Sequence, residues 1–493
     1  MTEQEYADLA AACDRLLRAP DTSLARLAIP ALHFLNEHPS TLAQYASLGT
    51  DQSAGSIFNI SKALIRATRG LIHSLSAQYP SATHQRPFDV VIVSHLLKAQ
   101  QLLQGDDFYF GALQDRLQDA GLSSLLLLID HLPNAPIERR SQLFPNARMV
   151  LPNTVSSTLE TNIWRQCVNT SIILRREAAG ARNSVDAKLA LLASRQALSE
   201  SVAFNLRMHS ALADLFASVG PKVVITTYEG SVAERLIWHA ARTAARRPLC
   251  VGYQHATVLE RAHAIRRPVA APGIDCDPDV VLTLGEITHA ALAASPELKR
   301  VRFIRYGSHR RVTLPPLPQP QHRPCRCLVL PDASDPECVT LFNFALATAR
   351  HRPDITFALR PHPMVDTSSL LRRHPEWRKL PKNVEFTAAG PLEQEFPLTR
   401  YCLYRGSSAA MYAVRAGIKP YYLAQPGELP ADCLFALTDW RETVNSPEDF
   451  ANRIDFGNPF PDSAAANRAA DICESYTSPV RPDAINELLA MVG

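Results

Sequence analysis

Asp354-Ile355-Thr356-Phe357-Ala358-Leu359 is a strand-like run that ends in Arg360-Pro361-His362-Pro363. Further along, Tyr401-Cys402-Leu403-Tyr404 ends in Arg405-Gly406-Ser407-Ser408 and leads into a helix-forming stretch closed by Gly417. Short apolar runs alternating with helices read as strands of a mostly parallel, doubly wound sheet. In such sheets ligands bind outside the carboxyl ends of the strands. The residues delivered there are Arg360, His362, Pro363, Gly406, Ser407 and Ser408. Arginine offers a planar fork matched to phosphate oxygens. A glycine and two serines where a strand turns into a helix place backbone N–H groups and hydroxyls together, which suits an anion. Each motif alone also reads as ordinary structure, a proline-stiffened turn or a helix N-cap. Their pairing predicts a site for a phosphate-bearing ligand.

The same texture extends outward. Cys327-Leu328-Val329-Leu330, Val384-Glu385-Phe386 and Tyr421-Tyr422-Leu423 read as further strands of this half. Before it, Leu314-Pro315-Pro316-Leu317-Pro318-Gln319-Pro320-Gln321 reads as a linker, because its prolines cannot continue a helix or a central strand. An earlier α/β half has strands at Val90-Val91-Ile92-Val93, Leu125-Leu126-Leu127-Leu128-Ile129, Arg148-Met149-Val150-Leu151, Val223-Val224-Ile225-Thr226-Thr227, Leu249-Cys250-Val251-Gly252-Tyr253 and Val280-Val281-Leu282-Thr283. A polar, helix-forming stretch fills 155–218. Residues 1–85 read as a helical extension, from the spacing of Leu9, Cys13, Leu16 and Leu17 and of Ile57, Ile60 and Leu64. The expected domains are therefore 1–85, 86–313 and 325–493.

In the earlier half, Thr226-Thr227-Tyr228-Glu229-Gly230-Ser231 follows a strand and opens a helix, and the next strand ends in Gly252-Tyr253-Gln254-His255. If the two strands are parallel, Glu229 and His255 arrive at one rim, where a carboxylate can act as general base or nucleophile. The competing reading of Glu229 is a carboxylate capping a helix N-terminus. Ser94-His95 ends the first strand and can border the same cleft. Asp130-His131 reads as a structural turn. Arg246-Arg247, Arg266-Arg267 and His309-Arg310-Arg311 read as solvated basic faces that can also help hold an anionic acceptor or a lipid headgroup.

Composition narrows the classes. With 46% hydrophobic and 20% charged residues the 493-residue chain is globular and long enough for two or three domains. A net charge of +3 is too small to argue for nucleic acid. No apolar run approaches the ~20 residues that a membrane-spanning helix needs. The opening Met1-Thr2-Glu3-Gln4-Glu5 lacks the apolar core of a signal peptide. Ten scattered cysteines without a Cys-x-x-Cys pair read as reduced core residues of a cytosolic protein. Asp275-Cys276-Asp277 has the letters of a metal pair but lies in a Pro/Gly-rich loop, so no metal site is expected. There is no Gly-x-Gly-x-x-Gly, Walker-type or Gly-x-Ser-x-Gly motif.

Taken together, these motifs resemble GT-B glycosyltransferases of bacterial surface-polysaccharide (capsule and O-antigen) biosynthesis, in particular CMP-Kdo transferases and the related GT-B sialyltransferases. Residues 325–437 carry most of the likeness: an Arg-Pro-His-Pro element after one strand, then Gly-Ser-Ser opening a helix that ends in Gly417-Ile418-Lys419-Pro420. Asp107-Phe108-Tyr109-Phe110-Gly111, Tyr228-Glu229-Gly230 and Gly252-Tyr253-Gln254-His255 match more loosely, and residues 1–85 lie outside the resemblance. The resemblance implies two Rossmann-like domains facing a cleft, with the donor on the later half and the acceptor on the earlier. It implies that His362, Ser407 and Ser408 bind the nucleotide phosphate or ribose and that Glu229 is the catalytic carboxylate. Tyr228 stands where the sialyltransferases carry a first acidic residue. The implied reaction moves Kdo from CMP-Kdo to a glycan or glycolipid, without a cofactor or metal, in the cytoplasm or at the periphery of the inner membrane. CMP-sialic acid, UDP-sugar or GDP-sugar donors are alternatives, with Glu428 and Glu393 as ribose-binding candidates for a UDP-sugar. A non-catalytic scaffold of an assembly complex is an alternative of another class, and a non-hydrolysing sugar-nucleotide epimerase shares the two-domain plan.

Overall fold

The computed structural model describes residues 1–33, 87–102, 106–132, 143–144, 147–181, 184–309, 313–387, 390–454 and 463–492, with Leu42, Tyr45 and Thr68 besides. Two sheets form. The first contains β1 (Val90–Leu96), β2 (Ser124–Asp130), β3 (Leu143–Phe144), β4 (Arg148–Val150), β5 (Val223–Thr227), β6 (Leu249–Tyr253), β7 (Val280–Thr283) and β8 (Arg302–Arg305), in the order β3-β4-β2-β1-β5-β6-β7-β8. The second contains β9 (Arg326–Leu330), β10 (Thr356–Leu359), β11 (Val384–Phe386), β12 (Tyr401–Tyr404), β13 (Lys419–Leu423) and β14 (Glu442–Val444), in the order β11-β10-β9-β12-β13-β14. Every pairing is parallel except β3 with β4. The GT-B expectation, two parallel α/β domains facing a cleft, describes this architecture.

The strands are apolar on both faces because both faces are covered. Val91 and Val93 pack into one core cluster while Val90 and Ile92 pack into another. In the second sheet Cys327 and Val329 point one way, Leu328 and Leu330 the other. This period of two follows from the pleat. Cys325 shares the Cys327 side, as the two-residue spacing predicts, and it alone among the ten cysteines is not fully buried. The polar stretch after 155 forms three helices, Ser157–Gly180, Ser184–Gln196 and Glu200–Val219.

Helix Glu3–Leu17 buries Tyr6, Leu9, Cys13, Leu16 and Leu17 in the same cluster as Val91, Leu125 and Trp238, so residues 3–32 share the core of the first sheet. Ile57, Ile60 and Leu64 lie outside the described residues. Arg267 corrects the reading of solvated basic runs. It is buried and paired with Asp14 of that helix at 2.6 Å, because a guanidinium removed from water needs a carboxylate. Arg246 and Arg247 are exposed as expected.

The C-terminal segment returns to the first domain. Ala484, Ile485 and Leu488 of helix Asp483–Leu489 enter the core beside Leu282 and Ile304. The crossing is close: a Cβ on Gly307 would collide with the backbone of Pro479 and Val480, and its φ of +106° also favours glycine. Among the described residues no helix is long and apolar enough to cross a membrane.

Candidate functional site

In the second sheet β9 is central, with β10 on one side and β12 on the other, so chain order reverses at β9. Such a switch point opens a crevice at the carboxyl ends of its strands. In the first sheet β1 plays the same part between β2 and β5. The two crevices form one cleft of about 630 Å³. Leu97, Glu229, His255 and Leu284 line it after β1, β5, β6 and β7; Asp332, His362, Gly406, Ser407 and Ser408 line it after β9, β10 and β12. Of the residues expected to form a site, Glu229, His255, His362, Gly406, Ser407 and Ser408 meet there.

Arg360 and Pro363 are not among the lining residues. Pro363 is exposed. Arg360 donates to the Gly390 carbonyl and pairs with Glu395 at 3.4 Å. Arg405, the cation of the second motif, is buried between Glu337 (2.8 Å) and Glu428. Both guanidiniums are thus paired with protein carboxylates, and the cleft lining of this half includes the His362 imidazole, the Ser407 and Ser408 hydroxyls and the Asp332 carboxylate. Glu428, a ribose candidate, is committed to Arg405.

His362 follows β10, and its Nδ1 accepts the Met364 N–H at 3.2 Å, which leaves Nε2 as the N–H donor of the neutral ring. Burial pushes its pKa below the usual histidine range, against the pull of the Asp332 carboxylate. Ser407 is buried and Ser408 exposed, and Ser408 caps no backbone N–H of the helix Ala409–Arg415 that follows. That helix has seven residues, so its dipole adds little and the hydroxyls matter more.

On the opposite wall, His255 Nε2 lies 3.0 Å from Glu229 Oε1. The histidine side chain is 6% exposed and the glutamate side chain 41%, so the imidazole anchors a carboxylate that faces the cleft. His255 Nδ1 is buried without a hydrogen-bond partner among the described residues, so Nε2 carries the proton donated to Glu229. The Tyr109 ring packs edge-on against His255 at 4.7 Å and against His95 at 5.6 Å. Tyr109 and Phe108 are presented by a turn organised around buried Asp107, which accepts from Ser94 Oγ and from the N–H groups of Tyr109 and Phe110. His95 Nδ1 lies 2.9 Å from His131 Nε2, and burial, with His131 beside it, lowers the His95 pKa to about 4. His131 thus packs behind the wall through His95, and neither ring is among the residues that line the cleft.

The loop that presents Glu229 is organised by Glu234. Its carboxylate accepts the N–H groups of Glu229, Gly230 and Ser231 and the Thr227 hydroxyl, all within 2.7–3.0 Å. The Ser231 hydroxyl accepts the Glu234 N–H in return, which completes a capping box at the start of helix Val232–Thr243. Capping is thus done by Glu234, and the Glu229 side chain is left for the cleft. Gly230 has φ +82°, and a Cβ there would sit 2.7 Å from the Ala264 carbonyl oxygen. Sequence reading missed Glu234 and Asp332. Ser231-x-x-Glu234 carried the capping signature, and Asp332 stands two residues past β9.

Among the described residues no group of three or more His, Cys, Asp and Glu side chains is gathered to hold a metal. Asp277 pairs with buried Arg235 and accepts the N–H groups of Val269 and Ala270, so it has a structural role.

No family model matches the chain, and no curated protein matches it in sequence. Similar solved structures include the glycotransferase of kitacinnamycin (15% identity, 83% of this chain and 100% of that one, TM-score 0.46). The glycosyltransferase SnogD from Streptomyces nogalater is similar at 15% identity, 83% and 100% coverage and a TM-score of 0.44. A putative UDP-N-acetylglucosamine 2-epimerase from Listeria monocytogenes matches at 8% identity, 82% and 95% coverage and a TM-score of 0.42. At these identities and scores the likeness carries no argument about chemistry.

Proposed function

We propose that this chain is a glycosyltransferase that moves a sugar from a nucleotide donor to a glycan or glycolipid acceptor, with CMP-Kdo as the donor. The observation that carries this reading is the meeting, across one cleft, of the Glu229–His255 pair with His362, Ser407 and Ser408. One wall offers a carboxylate held by an imidazole. The other offers the His362 N–H and two serine hydroxyls as neutral donors suited to a phosphate, beside the Asp332 carboxylate. Transfer breaks the bond between the anomeric carbon and the phosphate oxygen and forms a bond to an acceptor oxygen. The acceptor proton passes to Glu229 acting as base, and His362 Nε2–H with the two serines stabilises the departing nucleotide. With Glu229 as nucleophile, a glycosyl–enzyme bond forms first and the anomeric configuration is retained. A CMP-sugar releases a phosphate monoester, which fixed donors can accommodate without a metal.

The test is thermal unfolding with CMP, CDP, UDP, GDP or buffer alone. A ligand present at a hundred times its Kd adds about 2.7 kcal/mol to the native state. CMP is expected to raise the Tm, and His362→Ala is expected to remove the rise. A rise with UDP or GDP and none with CMP would keep the transfer reading and replace the donor. No rise with any nucleotide would overturn the reading.

A further inference from the structure

We propose that residues 425–430 form an interdomain strap, through which the first domain fixes the geometry of the 406–408 loop. The segment follows β13 in the second domain. Leu429 is 5% exposed, and it is buried in the core cluster that holds Tyr6, Val258 and Ile265 of the first domain. Arg261 of the first domain donates to the Pro430 carbonyl at 3.2 Å and pairs with Glu3 of helix Glu3–Leu17. The interlock is reciprocal, since Leu259 of the first domain packs against the core of the second. One residue before Leu429, Glu428 pairs with Arg405, which directly precedes Gly406 and Ser407. Just beyond the strap, Cys433 Sγ donates to the Ser407 carbonyl at 3.2 Å. A single stretch of chain therefore has an apolar anchor in one domain and two polar grips on the anion-facing loop of the other.

Arg405 is buried and held on its other side by Glu337, so its position depends on both carboxylates. Displacing Leu429 moves Glu428, and moving Glu428 releases Arg405 and the loop it anchors. Neither Leu429 nor Glu428 lines the cleft. They are positioning residues, and separation of the domains would slacken the loop that faces the phosphate. The nucleotide part of this inference rests on the proposed function. The part that concerns order in residues 406–411 does not.

Amide hydrogen exchange of the full chain tests it, in wild type, Glu428→Gln, Leu429→Ala and the volume-conserving Leu429→Met. Residues 406–411 are expected to exchange about tenfold faster in the first two variants, as local opening becomes easier, and as in wild type in the third. Acceleration confined to 425–430 would overturn the proposal. Should Leu429→Ala fail to fold, Glu428→Gln decides the matter, because it keeps the core intact. In parallel, CMP affinity is expected to fall about tenfold in Glu428→Gln, a loss of ~1.4 kcal/mol. Unchanged CMP affinity with faster exchange would restrict the strap to loop order and overturn its effect on binding. If CMP does not bind wild type, the donor reading fails while the exchange comparison still decides the strap.

Discussion

In the proposed reaction Glu229 and His362 divide the chemistry of the cleft, and their substitutions separate. Glu229→Gln keeps the size of the side chain and its contact with His255 but removes the basic, nucleophilic oxygen. It is expected to retain the CMP-induced rise in Tm and to slow CMP release from CMP-Kdo by roughly 10²- to 10⁴-fold, the range of a positioned base. Release within a few-fold of wild type would remove Glu229 from the reaction. His362→Ala should show the reverse pattern, losing the Tm response first. These two residues were legible because each closely follows an apolar strand run, and a strand end fixes where a side chain is delivered. Arg360 and Arg405 were not legible in the same way. A sequence displays a guanidinium without its partner, and Glu395, Glu337 and Glu428 are remote in the chain. Asp332 drew no attention because a lone aspartate after a strand reads as an ordinary turn residue.

The loop between β5 and helix Val232–Thr243 shows how an element can depend on one buried side chain. Glu234 satisfies three backbone N–H groups and a hydroxyl inside the protein. Burial, with Glu229 close by, pushes its carboxyl above the usual carboxylate range, against the pull of those donors. Glu234→Ala leaves the donors without their acceptor, and each buried unsatisfied group costs about 1–3 kcal/mol. The variant is therefore expected to lose at least ~2 kcal/mol in urea unfolding. Glu234→Gln, which keeps one accepting oxygen, should lose less. Equal stability of Glu234→Ala and wild type would mean that water replaces the carboxylate in this loop. At this scale most strands and the proline linker were legible, since hydrophobic period and turn chemistry are local, whereas β3, β8 and β14, which are short or carry charged residues, were not read. The pairing of β1 with β5 across the intervening helices was only inferable from the general preference for parallel neighbours.

The whole molecule is joined at both ends of the described chain. Helix Glu3–Leu17 shares the core of the first sheet, and helix Asp483–Leu489 returns to it after the second domain. Helical spacing at Leu9, Cys13, Leu16 and Leu17 announced a buried face but not what it would be buried against, so the extension read as separate. This tight packing also encloses histidines. Burial lowers the pKa of His33 to about 3 and those of His95, His209 and His309 to about 4, from an ordinary 6.5. Between pH 6.5 and 4 these rings are neutral in the native state and protonated in the unfolded one. The unfolded state then binds more protons, so stability rises with pH across that window and is lost on acidification, by up to ~1.4 kcal/mol per histidine per pH unit. Glu337 and Glu234 act in the opposite sense. Burial raises the Glu337 pKa to about 7 and that of Glu234 above 4.5, so the native state binds protons that the unfolded state lacks, and acidification towards pH 4.5 favours folding. Four groups against two leave a net loss. Urea midpoints should change little from pH 7.5 to 6.5, fall from 6.5 to 4.5, and fall more steeply below 4.5, where the two glutamates protonate in both states and no longer offset the histidines. A midpoint that is flat or rising from pH 6.5 to 4.5 would show that these rings take up their protons without unfolding, and that the core around them admits water.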